Sequence, residues 1–267
     1  MMEHEKSGIY SIRSINSCPP EEKGRIYSRL IPDELLGIFQ IRKEWLETPE
    51  LGYLILVAPS GSSSVEMKLH HEPEFPDPIL YGHLTDTLNG QIHVLLYILN
   101  DPSSPRFDVD RLPDGTSTIF GTRERNLEAE RAALECGLAP GQIRKGLRLL
   151  GPAIQAFEAF VTSLGHEMYF AEPLYYHNAV IFERYGFAYE KGRRLMERIQ
   201  RGFSQGGDLI PKLDDPSGFR RPDSVVSIRL RSWAIHDNIL GEPFTNVTMY
   251  KRVGKMSGVN TCGDCSW

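Results

Sequence analysis

Between residues 138 and 187 the spacing of the apolar side chains changes twice, and this restricts the chain more than any other feature. Ile143, Leu147, Leu150, Ile154, Phe157, Phe160 and Val161 recur at steps of three and four, the period of one helix face. They predict a helix over about Gln142–Ser163, bent at Gly151-Pro152 and ended by Gly165. Met168–Leu174 then reads as a strand, and Ala179–Tyr185 as a short helix leading into Gly186-Phe187. Helix, strand and helix in succession exclude an all-helical or all-strand architecture and predict an α+β protein.

The clearest strand signal lies upstream. Ile79–Leu88 and Gln91–Leu99 flank Asn89-Gly90, a dipeptide that accepts both positive-φ positions of a two-residue hairpin turn. That turn sets Asp86 opposite His93 as a cross-strand ion pair and puts His83 on the other face. Val94–Leu99 is apolar on both faces, as in a central strand covered on each side.

Residues 20–40 predict a helix opened by Pro19-Pro20, with Glu21 and Glu22 at its positive end and Pro32 splitting it in two. Leu54–Val57 and Val65–Leu69 read as strands and 102–121 as a loop. Asn126 is placed to cap a helix that Gly137 closes. Residues 192–203 read as an amphipathic helix, its Arg193, Arg194, Arg198 and Arg201 a solvated basic face. Pro211–Asp223 follows as a polar loop and Val225–Leu230 as a strand, with Trp233–Ile239 and Asn246–Tyr250 as further strand or turn. The expected organisation is one domain over 1–203, interrupted by an insertion at about 102–139, with 204–267 as an extension completing or decorating it.

A net charge of −5 and a pI near 5.9 leave no basic face for nucleic-acid phosphates. No stretch approaches the roughly 20 apolar residues of a membrane span, and Met1–Lys6 lacks the pattern of a secretion signal, so a cytoplasmic location is expected. Cys18, Cys136, Cys262 and Cys265 are not spaced as a disulfide framework. Cys262-Gly-Asp-Cys265 has neither a second ligand pair nor a following helix and reads as a mobile tail.

A helix N-terminus carries unpaired N–H groups and a positive dipole end, the elements of a phosphate site. Here Leu138-Ala-Pro140-Gly141-Gln142-Ile-Arg144-Lys145-Gly146-Leu147-Arg148 leads into the predicted helix, with glycines for close approach and basic side chains for charge. A strand follows, then Asn178 and Phe182-Glu-Arg-Tyr185-Gly186-Phe187. Over these 50 residues the chain resembles the Gcn5-related N-acetyltransferases, in which a glycine-bearing turn opens the helix that holds the pyrophosphate of acyl-CoA. A glycine, a strand, an Asn and a helix ending in Tyr-x-x-x-Gly-Phe come next in that family. The resemblance implies a mixed, mostly antiparallel central sheet with helices on both faces. It also implies acetyl-CoA or another acyl-CoA as co-substrate, held by Arg144, Lys145, Gly146, Leu147, Arg148 and Asn178. A second register, Arg148-Leu-Leu-Gly151-Pro-Ala153, matches the family's written pattern but puts a proline where an N–H is wanted. The family's tyrosine acid falls on Phe182, so the proton roles pass to Tyr185, Tyr175, Tyr176 or His177, with Glu172 as base.

The expected function is direct acyl transfer to a small amine, without nucleic acid, membrane or metal and with a homodimer left open. Two alternatives stand beside it. One is a non-catalytic acetyltransferase-like binder of a ligand or partner, and the other a metalloenzyme using His83 or His93 with His236. His70-His71 cannot easily ligate one ion from a strand, since adjacent residues face opposite sides. Asp108–Gly115 fails the calcium-loop spacing, with Pro113 at the sixth position and Ile119 at the twelfth, and reads as a turn. Arg123–Glu130 reads as a capped, exposed helix start, or a lid.

Overall fold

A computed structural model describes residues 10–118, 124–214 and 216–267. The N-terminal residues, the loop end at Gly121, Arg123 and one position of the 211–223 loop lie outside the described residues. In chain order the elements are α1 (Ile12–Asn16), α2 (Pro20–Tyr27), α3 (Asp33–Ile38), α4 (Lys43–Leu46), β1 (Leu54–Val57), β2 (Ser64–Leu69), β3 (Leu80–Asp86) and β4 (Ile92–Leu99). Then come α5 (Leu127–Glu135), α6 (Leu150–Ser163), β5 (Met168–Ala171), α7 (Tyr176–Arg184), β6 (Ala188–Lys191), α8 (Arg193–Phe203), α9 (Ile228–His236) and β7 (Thr248–Arg252). Two compact units share them: Met1–Asn100 with Leu147–Ala171 and Lys251–Lys255, and Asp101–Gly146 with Glu172–Tyr250 and Met256–Trp267. The class is α+β, with mixed and mostly antiparallel strand pairing. None of the described helices is long and apolar enough to cross a membrane.

In the first unit β1 to β4 form an antiparallel meander, and β5 joins β4 in parallel, His93 opposite Phe170 and Val94 opposite Ala171. Val65, Met67 and Leu69, alternate residues of β2, are fully buried, which is what a period of two delivers to one face. Tyr27 donates to Asn16 Oδ1 at 2.6 Å, and Asn16 Nδ2 donates to the Ser62 and Ser64 carbonyls, so the buried polar groups between α1 and β2 are satisfied.

The hairpin forms where expected, but its turn differs. Thr87 N–H donates to the Gln91 carbonyl and Gly90 N–H to the Thr87 carbonyl, leaving Leu88-Asn89-Gly90 as a three-residue loop with Gly90 at φ 76°. Asn-Gly serves this bulged loop as well as the two-residue turn. The register therefore moves by one. His93 faces Thr85 and Asp86 faces Ile92, and the Asp86 carboxylate instead accepts from Ile12 and Arg13 N–H at 2.7 and 2.9 Å, where α1 begins.

The long helix expected from Gln142 begins only at Leu150. Arg148 is at φ 59°, a left-handed conformation through which no α-helix can run. Pro152 sits in the first turn, where its missing N–H costs nothing, so Gly151-Pro152 opens the helix rather than bending it. β5 likewise stops at Ala171, short of Leu174.

The second unit packs Val109, Ala133, Leu134, Leu138, Phe219, Leu230 and Trp233 into one core, with Phe219 and Trp233 stacked at 5.4 Å. β6 pairs there with the start of β7, Tyr189 opposite Met249. Asn126 caps α5 through Ala129 N–H, Gly137 ends it at φ 83°, and α8 buries Met196, Ile199 and Phe203, all as the spacing predicts.

Two expectations fail here. Val225–Leu230 does not form a strand, and of the segment expected as strand or turn, Trp233–His236 is helix and only Asp237–Ile239 is turn. Ser227 accepts from Leu230 N–H and starts α9, whose residues Ile228, Leu230, Arg231, Ser232, Trp233, Ala234 and Ile235 are all buried. A helix buried all round has no polar face to reveal its period. The C-terminal segment is not a loose tail either. Cys262 and Cys265 form a disulfide, Ile228 N–H donates to the Ser266 carbonyl at 2.8 Å, and Ser266 N–H to that of Val226 at 2.9 Å.

Candidate functional site

In the first unit the parallel pairing of β4 and β5 ends at Val94 and Ala171, just before the register shift that makes Leu95 a β-bulge in β4. A bulge breaks the ladder and re-aims its neighbours, so β4 runs on through Leu99 beyond the end of β5. Two residues past the bulge, Tyr97 meets Phe157 of α6 edge-on at 5.2 Å. Its buried hydroxyl has no hydrogen-bond partner among the described residues, and burial raises the phenol's pKa.

Helix α6, the crossover between these strands, has no side-chain cap at Leu149 and no acidic residue in its first turn. Ala153 N–H bonds the Leu149 carbonyl, so Leu150 and Gly151 carry the amides left over at the positive end. Beside this turn lies a cavity of about 470 Å³ bordered by Arg29, Ile31, Lys43, Leu46, Pro152 and Gln155. Asp33 and Glu34 also border it. Lys43 pairs with Asp33 at 2.7 Å, whereas the exposed Arg29 has no ion-pair partner among the described residues.

The residues singled out as cofactor-binding disperse. The Arg144 side chain is buried and donates to the Pro102 carbonyl at 3.3 Å and to that of Ser104, which fixes the loop rather than offering charge to a ligand. Lys145 and Gly146 are exposed in that loop, and Lys145 N–H donates to Ser104 Oγ at 3.1 Å. Leu147 is half-buried, and Arg148 is exposed immediately ahead of α6. Asn178 accepts from Tyr175 N–H at 3.2 Å and thereby caps α7.

Nor do the residues singled out for catalysis converge. Glu172 is exposed just after β5 and is not on that strand. His177 occupies the first turn of α7, and Tyr185 is half-buried at its far end, about 12 Å along the axis at 1.5 Å per residue. Phe182 stacks on Phe187 at 4.9 Å and can supply no proton.

What surrounds His177 in the second unit is a buried polar network. His177 Nδ1 shares a hydrogen bond with Ser232 Oγ at 2.9 Å, and Tyr175 stacks on its ring at 5.7 Å. Tyr175 meets His236 edge-on, and His236 Nε2 donates to Glu130 Oε1 at 3.0 Å. Arg125 bridges Glu130 at 2.5 Å and Asp237 at 3.0 Å, and Asp237 also accepts from Arg220 and Ser217. Glycine is required at 141, where φ is +77° and a Cβ would lie 2.4 Å from the Tyr175 ring.

Burial favours the neutral forms here, and each charge must be matched by a partner. Burial, reinforced by nearby His236, drives the His177 pKa down to about 3, so the imidazole is neutral at pH 7. For Glu130 burial pushes upward, but the hydrogen bonds and charges of His236 and Arg125 outweigh it and hold the carboxyl below its usual range. His177 and Glu130 therefore act at pH 7 as a fixed dipole and a fixed charge.

No group of three or more His, Cys, Asp or Glu side chains among the described residues is arranged to hold a metal ion. His83 bonds Ser64 Oγ at 2.9 Å, and His70 bonds the Phe75 carbonyl. Around Asp108, Arg106 reaches both Asp108 and Asp110, which makes that acidic run an ion-paired turn.

The sequence reading missed Tyr97 and Ser232; it named Arg125 and Glu130 only as part of a capped helix start or lid, and Asp237 only as a possible metal ligand beside His236. The Arg123–Glu130 run marked the place, but the partners lie far along the chain: Arg125 and Asp237 are separated by 112 residues. Comparison with protein-family models, with curated proteins and with solved structures returns no match.

Proposed function

We propose that the protein binds an acyl-CoA in its first unit and transfers the acyl group directly to a small amine. The fold that goes with this reading is the acyl-CoA N-acyltransferase type, with helices on both faces of a mixed sheet. The observation that carries it is the parting of the parallel β4/β5 pair at the Leu95 bulge, with α6 as the crossover between them. Ligands of sheets with parallel strands gather where strands diverge at their C-terminal ends. An extended arm with amide groups, such as pantetheine, can pair with an open strand edge. The α6 amides suit its pyrophosphate, Arg29 adds charge beside them, and the Tyr97 hydroxyl is a buried donor that a ligand carbonyl would satisfy. The pyrophosphate position accordingly moves from 144–148 to the register beginning at Arg148.

Thermal unfolding with acetyl-CoA tests this. Ligand at one hundred times its dissociation constant stabilises by about 2.7 kcal/mol, or about 5–10 °C for a chain of this size. Gly151→Glu, which sets a carboxylate on the phosphate position yet suits a helix start, abolishes the shift, whereas Gly146→Glu preserves it. The opposite pattern returns the phosphate to the earlier loop, and no shift with any acyl-CoA defeats the proposal.

A second reading keeps the acyl-CoA site without catalysis. It is favoured by Phe182, held against Phe187, and by His177, buried and neutral. Release of free CoA thiol with an amine panel separates the two.

A further inference from the structure

The second unit contains an arginine that the proposed reaction does not use. Arg231 is 1% exposed in the middle of α9. Its partners are the carbonyls of Ser224 and Val225, the Tyr176 hydroxyl, Gln200 Oε1 and Cys262 Sγ, the last at 3.1 Å from Nη1. Its guanidinium also lies over the rings of Phe203 at 4.6 Å and Tyr176 at 5.8 Å. All of these are neutral. A buried cation whose direct partners are all neutral is costly by several kcal/mol, and such groups concentrate at functional sites. The other buried charge at this corner, Glu183, is bonded by Thr261 and acts on Tyr176 in the sense opposite to Arg231. The sulfur it touches belongs to the Cys262–Cys265 disulfide, a pair three residues apart that becomes anionic when reduced.

We propose that Cys262–Cys265 is a reversible thiol–disulfide exchange site, whose reduced form holds a Cys262 thiolate against the Arg231 guanidinium. The electron donor is a dithiol. Its thiolate attacks the sulfur of Cys265, the more exposed of the two at 9% against 1%, forming a mixed disulfide. The Sγ–Sγ bond breaks and Cys262 leaves as a thiolate, with Arg231 placed to receive the charge. The donor's second thiol, once deprotonated, attacks the donor sulfur of the mixed disulfide and expels Cys265, which takes a proton from solvent. Two electrons pass to the protein and the donor becomes a cyclic disulfide. Of the donor's two thiol protons, one is matched on Cys265 and one goes to solvent.

Other features fit this exchange. A cavity of about 340 Å³ opens beside Gln200, which bonds Arg231, and Thr261, which precedes Cys262. The segment is held independently of the disulfide. Thr261 donates to Glu183 through both its N–H and its hydroxyl, Arg184 donates to the Cys265 carbonyl, and Ser266 pairs beside Ser227. Reduction therefore leaves the segment in place.

The test uses the full chain with Cys18→Ser and Cys136→Ser, so that only this pair reacts. Equilibration in dithiothreitol buffers, followed by alkylation and mass measurement, should give one reversible two-electron transition with unchanged near-ultraviolet dichroism. In the same background with Cys265→Ser, the rate of Cys262 alkylation against pH should have its midpoint below about 7, against about 8.5 for an ordinary thiol. Arg231→Gln should raise that midpoint by a unit or more, and Arg231→Lys should largely keep it low. A Cys262 midpoint near 8.5, reduction only after denaturation, or reduction that collapses the dichroism would each overturn the proposal. If Arg231→Gln does not fold, the midpoint in the chain with Arg231 intact decides alone.

Discussion

His177 makes the stability of the second unit depend on pH in a way that can be worked out. Folded, its pKa is driven to about 3 by burial and by His236, and unfolded it returns to about 6.5. A base whose folded pKa is depressed binds more protons when unfolded throughout the interval between the two values. Stability therefore falls as pH drops below about 6.5, and the loss saturates only near pH 3. From pH 7 to pH 5 the linkage comes to about 2 kcal/mol for this one side chain. His70, held below its ordinary pKa by burial in the first unit, acts in the same direction. Glu130 also loses stability on acidification, but only below the ordinary carboxylate range near 4, so it stays out of this interval. A variant comparison isolates His177. His177→Asn keeps a polar atom for Ser232 Oγ near the position of Nδ1 and removes the titration. Urea unfolding at pH 7, 6 and 5, followed by near-ultraviolet dichroism of buried Trp233, should give the parent chain about 2 kcal/mol more loss than the variant. Equal losses in the two would refute the premise that the imidazole is buried and neutral.

Gly141→Ala should destabilise by about 2–4 kcal/mol through overpacking against Tyr175 and left-handed strain, whereas Gly137→Ala, at φ +83° with no atom within 4 Å of its Cβ, should cost about 1 kcal/mol; their thermal midpoints make the comparison. Glu130→Gln should cost about 3 kcal/mol in urea unfolding, because Arg125 and His236 lose a buried anion. Tyr97→Phe should leave stability unchanged or raise it by about 1 kcal/mol, since the hydroxyl it removes has no hydrogen-bond partner among the described residues. The same change should weaken acetyl-CoA binding measured by calorimetry; unchanged affinity would remove Tyr97 from the proposed site.

What could be read in the sequence follows from how local each signal is. Val65, Met67 and Leu69 on β2, the Asn126 cap and the apolar stripe of α8 are each decided within a turn or a strand, and each is where its spacing puts it. The failures lie where two local structures share one pattern. Asn89-Gly90 fits a two-residue turn and a three-residue bulged loop equally, and only pairing across the hairpin distinguishes them; the outcome moved Asp86 away from His93. Gly151-Pro152 fits a kink or a start, and the left-handed Arg148 decides for a start. Ser227-Ile-Arg-Leu-Arg alternates like a strand, yet Ser227 is a helix cap and seven of the nine helix residues after it are buried.

The candidate sites are less legible for a related reason. Arg231 looks like one more charge in Ile-Arg-Leu-Arg, and Cys262-Gly-Asp-Cys265 looks like a stray motif near the chain end. Each has an unremarkable reading alone. Their chemistry exists only because α9 is buried and carries the guanidinium to 3.1 Å from Cys262 Sγ, across 31 residues of chain. The same holds for the Leu95 bulge and Tyr97, whose meaning depends on where β5 stops pairing. Periodicity reports which side of an element is buried. A reactive site depends on what meets that side, and here each such meeting joins segments that the local pattern treats as independent.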